Sequence, residues 1–179
     1  MQVKRSVANS LAILLLFFAV LQAQESPYVT HEGRSIKALS EDAIKGYLEG
    51  LGMGFALAAE LNGYPGPRHV LELADSLDLD AARRDAVVEI FEQMRNHAVL
   101  LGEEIVGLEA RLDSVFAKRE ITSNDLATRL TQLGVLRGEL RYVHIVAHLE
   151  VTALLSDHEI HEYQRLRGYA EGHGTMHRQ

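Results

Sequence analysis

The chain has 179 residues, with 18 Lys and Arg against 25 Asp and Glu, nine His, three Pro and neither Cys nor Trp; this length suits one domain. Without Cys it cannot form disulfides, thiolate metal sites, a lipid-bearing cysteine or a thiol nucleophile. The net charge of −7 argues against a nucleic-acid binder, whose affinity rests on neutralising phosphates with Lys and Arg.

Lys4 and Arg5 precede an apolar run from Leu11 to Leu21, and Ala23 offers a small residue at a cut. This is the layout of an export signal over 1–23, with a mature start near Gln24. At about a dozen residues the run is shorter than the roughly 20 that span a bilayer as a helix. An uncleaved anchor is the alternative, and both outcomes put the rest of the chain outside the cytoplasm, in the periplasm. Losing Lys4 and Arg5 leaves 16 Lys and Arg against 25 acids, a mature charge of −9.

Residues 24–40 are polar, include Pro27 and Gly33, and are expected to form a flexible lead. A helical domain is expected over 41–170. Its first stretch carries Gly46, Gly50, Gly54 and Ala58 at steps of four, a small-residue stripe that would let another backbone approach one helix face. The spacing is not that of a phosphate loop. Asn62 to Pro67 (NGYPGP) stops the helix, and no proline follows Pro67. Val87, Phe91, Met94, Ala98, Leu101, Ile105, Leu108, Leu112 and Val115 then alternate steps of four and three. That is a heptad seam with Phe91, Ala98, Ile105 and Leu112 at a and Met94, Leu101, Leu108 and Val115 at d.

Asp80 is the expected N-cap of this long helix. A short polar link, Glu120 to Asn124, leads to a second one carrying Leu126, Leu130, Leu133, Leu136, Leu140, Val143, Ala147, Val151 and Leu154. Two long helices joined so tightly lie antiparallel. Ser156 and Glu159 form an S-x-x-E capping box for a last short helix that ends at Gly168. The fold expected is all-α, a long antiparallel hairpin with shorter flanking helices. The tail, 171–179, contains His173, Met176 and His177.

The export signal, the YPGP turn, the long hairpin and the closing LLSDHEIHEYQRLRGY resemble the Spy/CpxP superfamily, in particular its CnrX-like periplasmic heavy-metal sensor and resistance proteins. The resemblance covers Gly46 to Tyr169. The family's paired LTxxQ motifs would fall on Leu79-Asp80-Ala81-Ala82-Arg83 and Leu155-Ser156-Asp157-His158-Glu159. Asp80 and Ser156 replace Thr, and Arg83 and Glu159 replace Gln, so the capping role carries over without the signature. The resemblance implies nickel or cobalt binding by His, carboxylate and Met. The family's N-terminal histidine pair has no counterpart, because His31 stands alone.

His144 and His148 are one helical turn apart, a spacing at which two imidazoles chelate one metal. If the hairpin turn centres near Glu120, residue 97 lies opposite 143 and residue 92 opposite 148. His97 then joins the pair, with Glu92 as a nearby carboxylate. Such a set suits zinc, nickel, cobalt or copper. The competing reading is that all three histidines pack or hydrogen-bond in the core. Weaker candidates are His158 and His161, the tail residues His173, Met176 and His177, and His69 with Glu72. HEIHE is not HExxH, because Glu162 stands where the second His is required. No enzyme motif is present. The sequence therefore predicts a non-enzymatic, exported metal sensor or resistance protein. The alternative is a metal-independent chaperone or envelope-stress adaptor. A homodimer is expected, with a membrane-bound regulator or unfolded clients as partners and no nucleic acid.

Overall fold

The structure, a computed structural model, describes residues 26–169. The export-signal assignment over 1–23 and the tail residues His173, Met176 and His177 lie outside the described residues. The chain divides at Gly33 into two units. In the first, the described residues hold a single 3-10 turn, Val29–His31, with the His31 ring 5.7 Å from that of Tyr28.

The second unit is all-helical among its described residues. In chain order it contains α1 (Glu41–Leu48), α2 (Leu57–Glu60), α3 (Pro67–Glu72), α4 (Ala81–Ala117), α5 (Ser123–Leu154) and α6 (Asp157–Leu166). The long pair, α4 and α5, packs together as an antiparallel hairpin, and α1 and α3 lie on α4. Local chemistry sets the boundaries. Asp80 accepts a hydrogen bond from Arg83 N at the start of α4, and Thr122 accepts one from Asp125 N at the start of α5. At α6 the Ser156–Glu159 capping box is complete. Pro67 occupies the first turn of α3, where its missing N–H has no intrahelical partner to lose.

Two sequence expectations change here. Ile36 and Leu39, inside the expected flexible lead, are buried core residues, and Lys37 pairs with Asp113 of α4 at 3.2 Å. The glycine stripe is not one helix face either, because α1 ends at Leu48. Gly50, Met53 and Gly54 all adopt positive φ, +64°, +43° and +80°, a region that glycine enters without steric cost. The stripe therefore folds into an irregular loop between α1 and α2. Close approach is provided instead by Gly102 of α4, where a Cβ would overlap the Tyr47 carbonyl.

The core lies in two clusters along the hairpin. One joins Ile36, Leu39 and Tyr47 to Ala98, Ile105, Leu108, Leu133, Leu136 and Leu140. The other joins Val70, Ala74, Leu77 and Leu79 to Val87, Val151, Leu155 and Tyr163. Between them, α4 contributes Phe91, Met94 and Arg95 and α5 contributes His144 and His148 to the lining of a cavity of about 530 Å³.

Candidate metal and ligand site

The two core clusters leave a gap that α2, the loop before it and the start of α3 roof over. His144 points inward from α5 and is 3% exposed. Its ring stacks on Phe55, centroids 5.5 Å apart, and its Nε2 is buried with no hydrogen-bond partner. Burial, with a smaller contribution from neighbouring His148, lowers its pKa to about 4. The ring is therefore neutral at ordinary pH, the state in which imidazole can ligate.

His148 lies one turn further along. Its Nδ1 is 2.7 Å from the Tyr64 carbonyl. Donation to that oxygen places the proton on Nδ1 and leaves Nε2 with a free lone pair. The ring reaches Tyr64 because Gly66 has no side chain: a Cβ there would lie 2.8 Å from Cε1 and 2.9 Å from Nε2. The YPGP turn thus stops one helix, starts the next and seats this imidazole.

Glu60, at the end of α2, is 7% exposed. Its Oε1 accepts a 2.7 Å hydrogen bond from the Tyr163 hydroxyl and lies 3.5 Å from Arg167 Nε. Burial and the adjacent carboxylate push the Tyr163 phenol up, which keeps it a donor. Glu60 Oε2 is 3.7 Å from His148 Nδ1 and has no hydrogen-bond partner. Buried polar atoms are nearly always paired, yet His144 Nε2 and Glu60 Oε2 are buried orphans on two residues that line the same cavity.

The structure brings together His144 and His148 of the residues expected from sequence. It does not bring His97 or Glu92 to them, since both are exposed and neither lines the cavity. Phe91 and Met94 of α4 share the cavity with His148 instead, on a different face of the helix from His97. On α4 the e positions Gly102 and Glu109 are buried beside the a positions Ala98 and Ile105. Tyr47 of α1 packs on Gly102, and Gly50 approaches Arg95, Ala98 and Val99. With that side covered, the g position carrying His97 turns to solvent.

Among the described residues, no three His, Asp or Glu side chains stand together as a set able to hold a metal ion. His158 and His161 are exposed on α6, and His69 pairs with Glu72 at 2.8 Å. That hydrogen bond holds the Glu72 carboxyl below its usual range.

The Leu79–Arg83 and Leu155–Glu159 segments meet in space. Arg83, bonded to Asp80 at 3.0 Å, also donates to Glu159, while Leu79 and Leu155 share a core cluster. Burial alone would raise the Glu159 carboxyl; hydrogen bonds from Ser156 and Arg83 outweigh it and lower it. Glu60, Gly66, Tyr163 and Arg167 escaped sequence reasoning. They are scattered over more than a hundred positions with no periodic relation, and only the turn residue Gly66 lay in a motif already noted.

Comparison with family models, curated proteins and solved structures finds no match to this chain.

Proposed function

We propose that this protein is an exported, non-enzymatic sensor or resistance protein for a divalent transition metal. The metal would be held by His144 and His148, one turn apart on α5 and both lining the cavity, without His97 or Glu92. The observation that carries this reading is the buried, unpartnered Nε2 of a neutral His144 one turn from a second imidazole. The backbone carbonyl that fixes the tautomer of His148 is the kind of outer support that ligating histidines use. The donors fit a borderline metal such as zinc, nickel, cobalt or copper. The meeting of the Asp80–Arg83 and Ser156–Glu159 segments is in keeping with the family resemblance.

Calorimetric titration of the chain without its signal should give micromolar binding of at least one of these four ions. His144→Ala and His148→Ala should each weaken it at least about tenfold, the order of loss expected from a disturbed metal site. Bound metal must also raise the melting temperature, since it selects the folded state. No binding by the intact chain would sink the proposal.

A second reading, a metal-independent holding chaperone, is favoured by the exposed apolar side chains Leu48, Leu51, Met53, Leu57, Leu61 and Tyr64. Suppression of client aggregation that persists in a chelator would favour it over the metal reading.

A further inference from the structure

The cavity is much larger than an ion requires. About 530 Å³ lies within the range of roughly 300–1,000 Å³ typical of sites for small organic molecules. Its lining sets two acids, Glu49 and Glu60, against two arginines, Arg68 and Arg95, beside His69, His144 and His148, while Leu51, Met53, Leu57, Phe91 and Met94 supply apolar wall. Leu51, Met53 and Leu57 are also exposed, so the apolar wall continues outward to solvent. Among these groups, Glu60 is an acceptor wanting a donor, and its charge is offset by Arg167, 3.5 Å from Oε1. A cationic ligand would find that carboxylate already paired.

We infer that the cavity binds a small neutral organic molecule with an apolar body and a hydrogen-donating head, a hydroxyl or amide, that reaches Glu60 Oε2. The body lies against Leu57, Phe91 and Met94. The apolar wall gives affinity, and the orphaned carboxylate oxygen gives selectivity, because a ligand without a donor would leave that oxygen buried and unpaired. This inference stands independently of the metal reading, although both occupants would use the same cavity.

The test is fluorescence titration of the metal-free chain with 1-naphthol, which has a two-ring body and one hydroxyl, against 1-methoxynaphthalene, which lacks the donor. The chain contains no Trp, so the background is low. Saturable micromolar binding of naphthol is expected, with the methoxy analogue at least roughly tenfold weaker. Glu60→Gln can still accept from Tyr163 through its carbonyl but presents an amide donor to the cavity, so the preference for naphthol should collapse. Leu57→Asp, on the exposed rim where folding is not at stake, should weaken both probes alike. Equal binding of the two probes, or no binding of either, overturns the inference. A zinc-induced rise in melting temperature without naphthol binding overturns it and leaves the metal reading standing. Naphthol binding without any effect of zinc, nickel, cobalt or copper supports it and sinks the metal reading.

Discussion

Burying an imidazole costs least when it is neutral, and His144 is buried against Phe55 with no acid beside it to hold a proton. Its pKa falls from 6.5 to about 4, so between those values the unfolded chain binds more protons than the folded one. Stability therefore drops as pH falls through that window, by about 3 kcal/mol in all, and is fully present above it. The buried or paired carboxylates Glu159 and Asp80 act in the same sense, but only below their ordinary values of 4.5 and 3.8. Urea denaturation of wild type and His144→Leu at pH 7 and pH 5 should show a loss in wild type that the variant lacks; parallel losses would refute this assignment. Proton competition for His144 as a ligand likewise moves down from the 6.5 expected of a free imidazole. Gly66→Ala is the companion test. Gly66 has φ −85°, which alanine tolerates, so any cost comes from its methyl pushing on His148. It should lower stability by about 1 kcal/mol and weaken metal and probe binding together, as read by titration. At this scale the histidine pair was legible because i,i+4 spacing is local. Glu60 was not, because its role comes from tertiary packing against Tyr163, 103 positions away.

Elements were more legible than sites. The heptad from Val87 to Val115, the Asp80 cap and the Ser156–Glu159 box each encode a helix through short-range physics, and α4 and α6 start where those caps stand. The misread element was the glycine stripe. Four-residue spacing suggested a continuous helix, yet positive φ at Gly50 and Gly54 breaks the chain there. Two glycine substitutions separate these effects. Gly134→Ala adds a Cβ with nothing within 4 Å in mid-helix and should stabilise by up to about 1 kcal/mol through helix propensity. Gly102→Ala adds the same methyl onto the Tyr47 carbonyl and should destabilise by about 1–3 kcal/mol, with α1 displaced. Thermal melts that rank the two variants the other way would show that α1 does not rest on α4 as described. Ser156→Ala removes the cap of α6 and should cost about 1 kcal/mol, measured by urea denaturation.

For the whole molecule, an all-α hairpin was readable because periodicity, caps and a proline-free run agreed. Which side of the hairpin the short helices cover was not readable, and that choice sent His97 to solvent and Gly102 inward. On the outer side of α5, Val135, Tyr142 and Leu149 recur every seven residues and are exposed, Tyr142 at 66%. This stripe is where we propose that the expected homodimer would form. Tyr142→Glu should convert the dimer to monomer in light scattering without loss of helix content; a wild-type monomer would end the dimer proposal.

The break between the two core clusters also bears on how the molecule comes apart. Val87 and Val151 belong to one cluster, Ala98 and Leu140 to the other, and the cavity lies against the stretch between them, at Phe91, Met94, His144 and His148. A chain whose hydrophobic contacts are divided in this way can lose one half before the other. Without an occupant, calorimetric melting should be broad, with a van't Hoff enthalpy below the calorimetric one. An occupant that touches both halves would make them share one fate, so the transition should narrow as well as rise. The sharpness of melting, more than its midpoint, would then report whether the gap is filled.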